Sequence, residues 1–175
     1  MSNTELFPIV DENGQTIGKA TRQECHSGSM LLHPVVHLHI FDTQGRLYLQ
    51  KRSINKDIQP GKWDTAVGGH VDYGETIEHA LLREAREELS FTGFEPTHLF
   101  TYIFQSNRER EMVNAFCTTT VNTSFRFDPI EVDDGKFWSR EEIANAMGKG
   151  ILTPNFEKEY QRLLDVLPQN PYIIH

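Results

Sequence analysis

The side chains best suited to chemistry crowd into Gly69 to Phe91: Gly-His-Val-Asp-Tyr-Gly-Glu-Thr-Ile-Glu-His-Ala-Leu-Leu-Arg-Glu-Ala-Arg-Glu-Glu-Leu-Ser-Phe. On a helix, Glu84 and Glu88 stand one turn apart with Glu87 beside them, so three carboxylates share a face. Three like charges repel, and water, arginine partners or a bound cation must offset that cost. Hard divalent cations such as Mg2+ and Mn2+ favour carboxylate oxygens and commonly share them with substrate phosphates. Such an ion would neutralise and orient a diphosphate and help water attack it. Gly69 permits close backbone approach and offers its carbonyl as a further ligand. Arg83, four residues before Glu87, suits an i,i+4 pair that pins this carboxylate. The plain alternative is a solvated charged helix face.

These residues need a scaffold. Ile77 to Leu89 reads as a helix, with Leu81, Leu82, Ala85 and Leu89 on one apolar stripe. Ile9-Val10-Asp11 and Thr16 to Ala20 flank Glu12-Asn13-Gly14-Gln15, a hairpin signal. Val35–Phe41 and Arg46–Lys51 predict a second hairpin turning at Asp42-Thr43-Gln44-Gly45, and Trp63–Gly68 a short strand after Pro60-Gly61. Phe94–Phe104 and Met112–Val121 are rich in β-formers, and Lys136-Phe137-Trp138 reads as a strand end. Ser139-Arg140-Glu141-Glu142 fits a capping box, and Thr153-Pro154 opens a last helix with Pro at its tolerated first position. Strands and helices mix without strict alternation, which points to an α+β fold with helices on a mixed sheet.

The chain has 175 residues and a net charge of −8. That length suits one domain, read as an N-terminal hairpin extension over 1–30, a core over 31–168 and a tail over 169–175. An acidic surface disfavours a grip on duplex nucleic acid but leaves small phosphorylated substrates open. No window approaches 18 consecutive apolar residues, and the start lacks a secretory pattern, so no membrane partner is expected. Two cysteines are too few for a disulfide scaffold, which suggests a reduced, cytoplasmic setting. The apolar residues of the tail Asn170 to His175 are suited to docking on a second copy, as in a homodimer.

The Gly69–Phe91 segment resembles the signature of the Nudix hydrolases, Gly-x5-Glu-x7-Arg-Glu-U-x-Glu-Glu-x-Gly-U, where U is apolar. Gly69, Glu75, Arg83, Glu84, Ala85, Glu87, Glu88 and Phe91 fall in register. Ser90 departs from the pattern, standing where the family has the glycine that ends the helix. The resemblance implies an α/β/α sandwich and hydrolysis of a diphosphate linkage in a nucleoside diphosphate joined to another moiety, or in a related small diphosphate. It implies Mg2+ or Mn2+ on Glu84, Glu87, Glu88 and the Gly69 backbone, with Arg83 orienting a glutamate and Glu87 and Glu88 in the catalytic centre. The general base is left open between Glu87 and a glutamate on a nearby loop, Glu109 or Glu111.

A longer stretch, from about Asp11 to Phe116, is similar to isopentenyl-diphosphate isomerases, which share the Nudix fold without its hydrolysis. The matching residues are His26, His33, Gln50-Lys51-Arg52, Lys56, Pro60-Gly61-Lys62-Trp63, Gly69-His70, Gly74-Glu75 and Glu109-Arg110-Glu111. The likeness implies a second metal site of His26, His33, His70, Glu109 and Glu111, a mixed set suited to Zn2+ or Mn2+. It also implies diphosphate contacts from Arg22, Arg52, Lys56 and Arg83. The ordinary reading of Glu109 and Glu111 is a hairpin tip with alternating charges paired across strands. Where the isomerases carry a proton-donating cysteine, this chain has Gly68, while the hydrolase glutamates are intact. A hydrolase is therefore expected, the alternatives being an isomerase-like enzyme and a non-catalytic ligand sensor.

His37 and His39 share one face of their strand, opposite Val36, Leu38 and Ile40, and either face the cleft or form a polar sheet surface. Trp63 and Trp138 read as core.

Overall fold

The computed structural model describes residues 5–167, so the tail and its docking role lie outside the described residues. The strands are β1 (Leu6–Val10), β2 (Thr16–Thr21), β3 (Leu32–Phe41), β4 (Leu47–Arg52), β5 (Trp63–Thr65), β6 (Val67–His70), β7 (Thr97–Gln105), β8 (Arg110–Thr119) and β9 (Val132–Trp138). The helices are α1 (Arg22–Cys25), α2 (Ile77–Leu89), α3 (Arg140–Ala146) and α4 (Pro154–Val166).

β3 is the spine. It pairs in parallel with β8 from Leu32↔Arg110 to Phe41↔Thr119, and antiparallel with β6 on its other side. β7 extends the sheet beyond β8. The sheet is thus mixed, and its two faces carry separate cores. Val36, Leu38 and Ile40 pack with Leu81, Ala85 and Leu89 of α2. Phe41, Leu47 and Leu49 pack with Phe156, Tyr160 and Leu163 of α4 and with Ile143 of α3. This is the expected α/β/α sandwich. A strand covered on both faces is buried almost throughout, and β3 is, His33 and His39 included.

The second hairpin splits. β3 and β4 meet only at Phe41↔Leu47, beside a turn held by the Arg46 Nε donating to Asp42 Oδ2 at 2.7 Å. β4 then pairs with β5 and β9 instead. The predicted strand over Trp63–Gly68 is two strands broken at Ala66, each serving a different partner. The divergence opens the sheet beside Gln50, Arg52 and Gly68, where a cleft forms.

α2 occupies the predicted bounds, with Thr76 as N-cap accepting from the His79 N–H. Its apolar stripe differs by one residue: Leu82 is 39% exposed, and Ala80 is buried in its place. At its end Ser90 adopts φ 54°, the left-handed geometry that glycine would take without strain. The N-terminal hairpin forms as expected and packs Phe7 onto the core, its ring 4.5 Å from that of His70 and within 3° of parallel. Ser139 and Thr153 cap α3 and α4, the former by the full capping box. Trp63 and Trp138 meet edge to face at 5.2 Å within the α4-side core.

Candidate active site

The strand-to-helix passage from β6 to α2 lays the acidic face against backbone. Arg83 is its hub. Its Nε and Nη2 donate to Glu75 Oε2 and Oε1 at 2.8 and 2.9 Å, a two-pronged grip. Nη1 donates to Glu84 at 2.8 Å and to Glu87 at 3.3 Å, and Nη2 also reaches the His70 carbonyl at 3.0 Å. The sequence pattern placed Arg83 with Glu87; the main partner is instead Glu75, because two carboxylate oxygens match the planar guanidinium better than one helix neighbour. Burial alone would raise the Glu75 carboxyl, but the Arg83 hydrogen bonds outweigh it and hold it down at about 2.

Glu84 leans over Gly69. A Cβ added at Gly69 would stand 2.2 Å from the Glu84 carboxyl carbon, so this carboxylate occupies the space that any side chain would fill. Glu88 is half-buried behind it. Burial, and the hydrogen bond and charge of Glu84, push its carboxyl well above the ordinary range. Glu84, Glu87 and Glu88 line one cavity of about 390 Å3 together with Arg52 and Lys56. A neighbouring cavity of about 440 Å3 brings Arg22, Arg52 and Lys56 together with Gly69 and Glu84. Of the four basic residues named from the sequence, Arg22, Arg52 and Lys56 face the acidic helix across one cleft, while Arg83 stands on that helix and is engaged by Glu75, Glu84 and Glu87. Each of the first three also has a protein partner: Arg22 pairs with Glu5 at 3.3 Å, Arg52 donates to the Ile58 carbonyl at 3.0 Å, and Lys56 pairs with Glu131.

The second constellation also converges. Ligand atoms of His26, His33, His70 and Glu109 lie within 4.8 Å of one another. Glu111 adds an oxygen 3.9 Å from His70 Nε2 and 4.0 Å from His33 Nε2. His33 Nε2 and Glu109 Oε1 are buried without a hydrogen-bond partner, an arrangement that costs energy unless something fills it. Burial lowers the proton affinity of all three imidazoles, and the proximity of the other charges adds to this at His70. Burial and Glu109 together raise Glu111 to about 8. The glutamates do lie at and beside the β7–β8 hairpin tip, but the charge pairing expected across it is absent: Glu111 lies opposite Phe104 and Arg110 opposite Gln105, while on its other side Glu111 is in register with His33 of β3. Glu109 and Glu111 turn toward the histidines.

His37 and His39 do not form an open polar face. Both hold one carboxylate from α4: His37 Nδ1 lies 2.7 Å from Glu159 Oε1, and His39 Nε2 lies 2.6 Å from Oε2. The Tyr102 hydroxyl donates to Oε1 at 2.5 Å. Glu159 was not among the sequence candidates. Its signal was available, since it stands three residues after Phe156 and four before Leu163, on the buried stripe where a carboxylate is out of place.

The NUDIX domain family model matches residues 31–157. The chain is similar to an uncharacterized Nudix hydrolase of Streptomyces coelicolor, 31% identical over 163 residues, covering 93% of this chain and 90% of the relative. It is also similar to an isopentenyl-diphosphate Delta-isomerase of Mycolicibacterium vanbaalenii, 38% identical over 85 residues; that match covers 49% of this chain and about half, 47%, of the relative. Among solved structures, DR0079 from Deinococcus radiodurans superposes with a TM-score of 0.76 at 25% identity, covering 90% of this chain and 98% of the other.

Proposed function

The chain belongs to the Nudix family and is a pyrophosphohydrolase of that type, and on that premise we propose which residues do the work and on what. The substrate class is a nucleoside diphosphate joined to a second moiety, or a related small diphosphate. Glu84, Glu87, Glu88 and the Gly69 carbonyl hold Mg2+ or Mn2+. Their chemistry fits a hard cation: three carboxylates and a carbonyl, with Glu84 seated in a cradle that only glycine leaves open. When bound, the cation supplies positive charge against the diphosphate and polarises the attacked phosphorus. Arg83 fixes the orientation of Glu84 through its grip on Glu75. Arg22, Arg52 and Lys56 receive the phosphate oxygens from the opposite wall. Glu87, the most exposed of the three glutamates, takes the proton of the attacking water.

The observation that carries this reading is the Gly69–Glu84 fit. The test is phosphate release from a panel of nucleotide sugars, dinucleotides, coenzymes and prenyl diphosphates in Mg2+ or Mn2+. Glu84→Gln should cut turnover by about 100-fold or more. Equal rates in parent and variant would remove the assignment.

A second metal site is part of the proposal, on His26, His33, His70, Glu109 and Glu111, with Zn2+ or Mn2+ as the fitting ions. Two buried unpaired ligand atoms support it. Metal analysis of the purified protein should find an ion that His33→Ala loses; an unchanged metal content in that variant would exclude the site. Isomerase chemistry is disfavoured because Gly68 offers no proton donor. No helix among the described residues is long and apolar enough to cross a membrane. Two free, buried cysteines, Cys25 and Cys117, accord with a reducing cytoplasmic setting.

A further inference from the structure

We propose that His37 is a substrate-contacting residue of the cleft, presenting Nε2 to a phosphate oxygen of the diphosphate, and that Glu159 is its positioning residue. The inference rests on the reading of this cleft as a diphosphate site, and three observations carry it.

The first is the arrangement around Glu159. Its carboxylate is 1% exposed, and both oxygens are engaged by His37, His39 and Tyr102. An ionised carboxylate can only accept, so each partner must bring a proton to it. His37 is therefore fixed as the form with hydrogen on Nδ1. Ring orientation and the hydrogen on Nδ1 are both set by a residue 122 positions away, and the contact at Nε2 is made by the ring that carries hydrogen on both nitrogens.

The second is where the other edge of the ring goes. A buried pair meant only to clamp α4 to the sheet could be closed on all sides, as His39 is at 1% exposure. The His37 side chain is 23% exposed, and it borders the same cavity as Arg22, Arg52, Lys56 and Glu84. Among the described residues, no hydrogen bond engages its Nε2.

The third is Gly68, the cross-strand partner of His37 in the β3–β6 pair. A Cβ at residue 68 would touch His37 Cδ2 at 3.4 Å and Nε2 at 3.7 Å. A larger side chain would continue over that edge and cover it. The residue after Gly68 is the glycine that admits Glu84, so two successive glycines of β6 expose an imidazole and a carboxylate to adjoining walls of one cleft.

The charge on the ring agrees with this role. Burial alone would lower its proton affinity, but the charge and hydrogen bond of Glu159, with smaller help from Glu111 and Asp64, raise it to about 9. At neutral pH both ring nitrogens then carry hydrogen, and Nε2 is a charge-assisted donor. Burying Glu159 is costly, and apolar packing would hold α4 as well. A pre-set donor aimed into the cleft gives that cost a use.

The test uses the full chain, Mg2+ and imidodiphosphate, a diphosphate mimic in which nitrogen replaces the bridging oxygen. By calorimetry, His37→Gln should weaken its binding about 10- to 100-fold, the loss of one hydrogen bond to a charged group. Glu159→Gln should weaken it to a similar extent, and the double variant little further, because both act through one contact. Losses that simply add, or a folded His37→Gln with parental affinity, would overturn the proposal. Should a variant lose its fold, the parent decides: the His37 ring nitrogen signals should shift on adding the mimic, and unmoved signals count against the contact. Failure of the hydrolase reading is seen separately, as a parent that binds the mimic yet releases no phosphate from any diphosphate.

Discussion

Glu84 bends across the Cα of Gly69 so closely that a methyl group there would lie 2.2 Å from its carboxyl carbon. The atom met is the far end of a flexible side chain, so Gly69→Ala should fold and displace Glu84 rather than the strand. A misplacement of about 1 Å at such a group costs on the order of 100-fold in rate. The expected result is a nearly unchanged melting temperature with turnover reduced about 100-fold. A large loss of stability with residual activity intact would contradict it.

Arg83 is engaged through a planar fork rather than a point charge. Lys keeps the charge but reaches one oxygen of Glu75 and releases Glu84 or Glu87. Arg83→Lys should therefore lower kcat by about tenfold or more while leaving the helix content by circular dichroism intact. Parental kcat in this variant would show that charge alone suffices.

The same pair gives a pH signature. Glu75 is held down at about 2, against an ordinary 4.5. A depressed folded-state value means stability that is complete above the unfolded value and is lost as pH falls from about 4.5 toward 2. Arg83 stays charged throughout, so the sign is set by the carboxylate. Glu75→Gln should be less stable than the parent at pH 7, and the gap in melting temperature should narrow below pH 4. A gap that stays constant down to pH 2 would rule out the pair as its source.

Ser90 ends α2 in left-handed geometry and is exposed. Relief of the steric cost of this conformation is partly offset by the greater freedom of glycine in the unfolded chain. Ser90→Gly should gain about 0.5–1 kcal/mol by urea unfolding. A loss would mean that the hydroxyl makes a contact that outweighs the strain.

Local signals carried the fold a long way. The limits of α2, the start of α4 at Thr153-Pro154, the Ser139 cap of α3 and the N-terminal hairpin follow from short-range residue chemistry, and the structure has them; the left-handed stop at residue 90 follows from the family pattern, since Ser itself does not call for it. The convergence of His26, His33, His70 and Glu109 was legible from spacing shared with known proteins. Two features were not. The parting of β3 from β4 depends on β8, which takes the open edge of β3 from far along the chain, and no turn motif reports that competition. Glu159 closes on His37 and His39 across more than a hundred residues; only its odd placement among Phe156, Tyr160 and Leu163 hinted that it had a buried partner. Leu82 was placed in the stripe because helical spacing leaves its neighbour Ala80 an equal claim, and packing against β3 decides between them.

The parallel β3–β8 ladder joins Leu32 to Arg110, 78 positions apart in the chain. Such a seam must wait for a large loop to close before any of its bonds repay the lost chain entropy. Until then β3 is a strand with an open edge, and a chain emerging from the ribosome carries that edge unpaired from Phe41 until Arg110 has been made. Refolding from denaturant should accordingly be slow, and interception of the half-made protein by its own copies should rise with concentration.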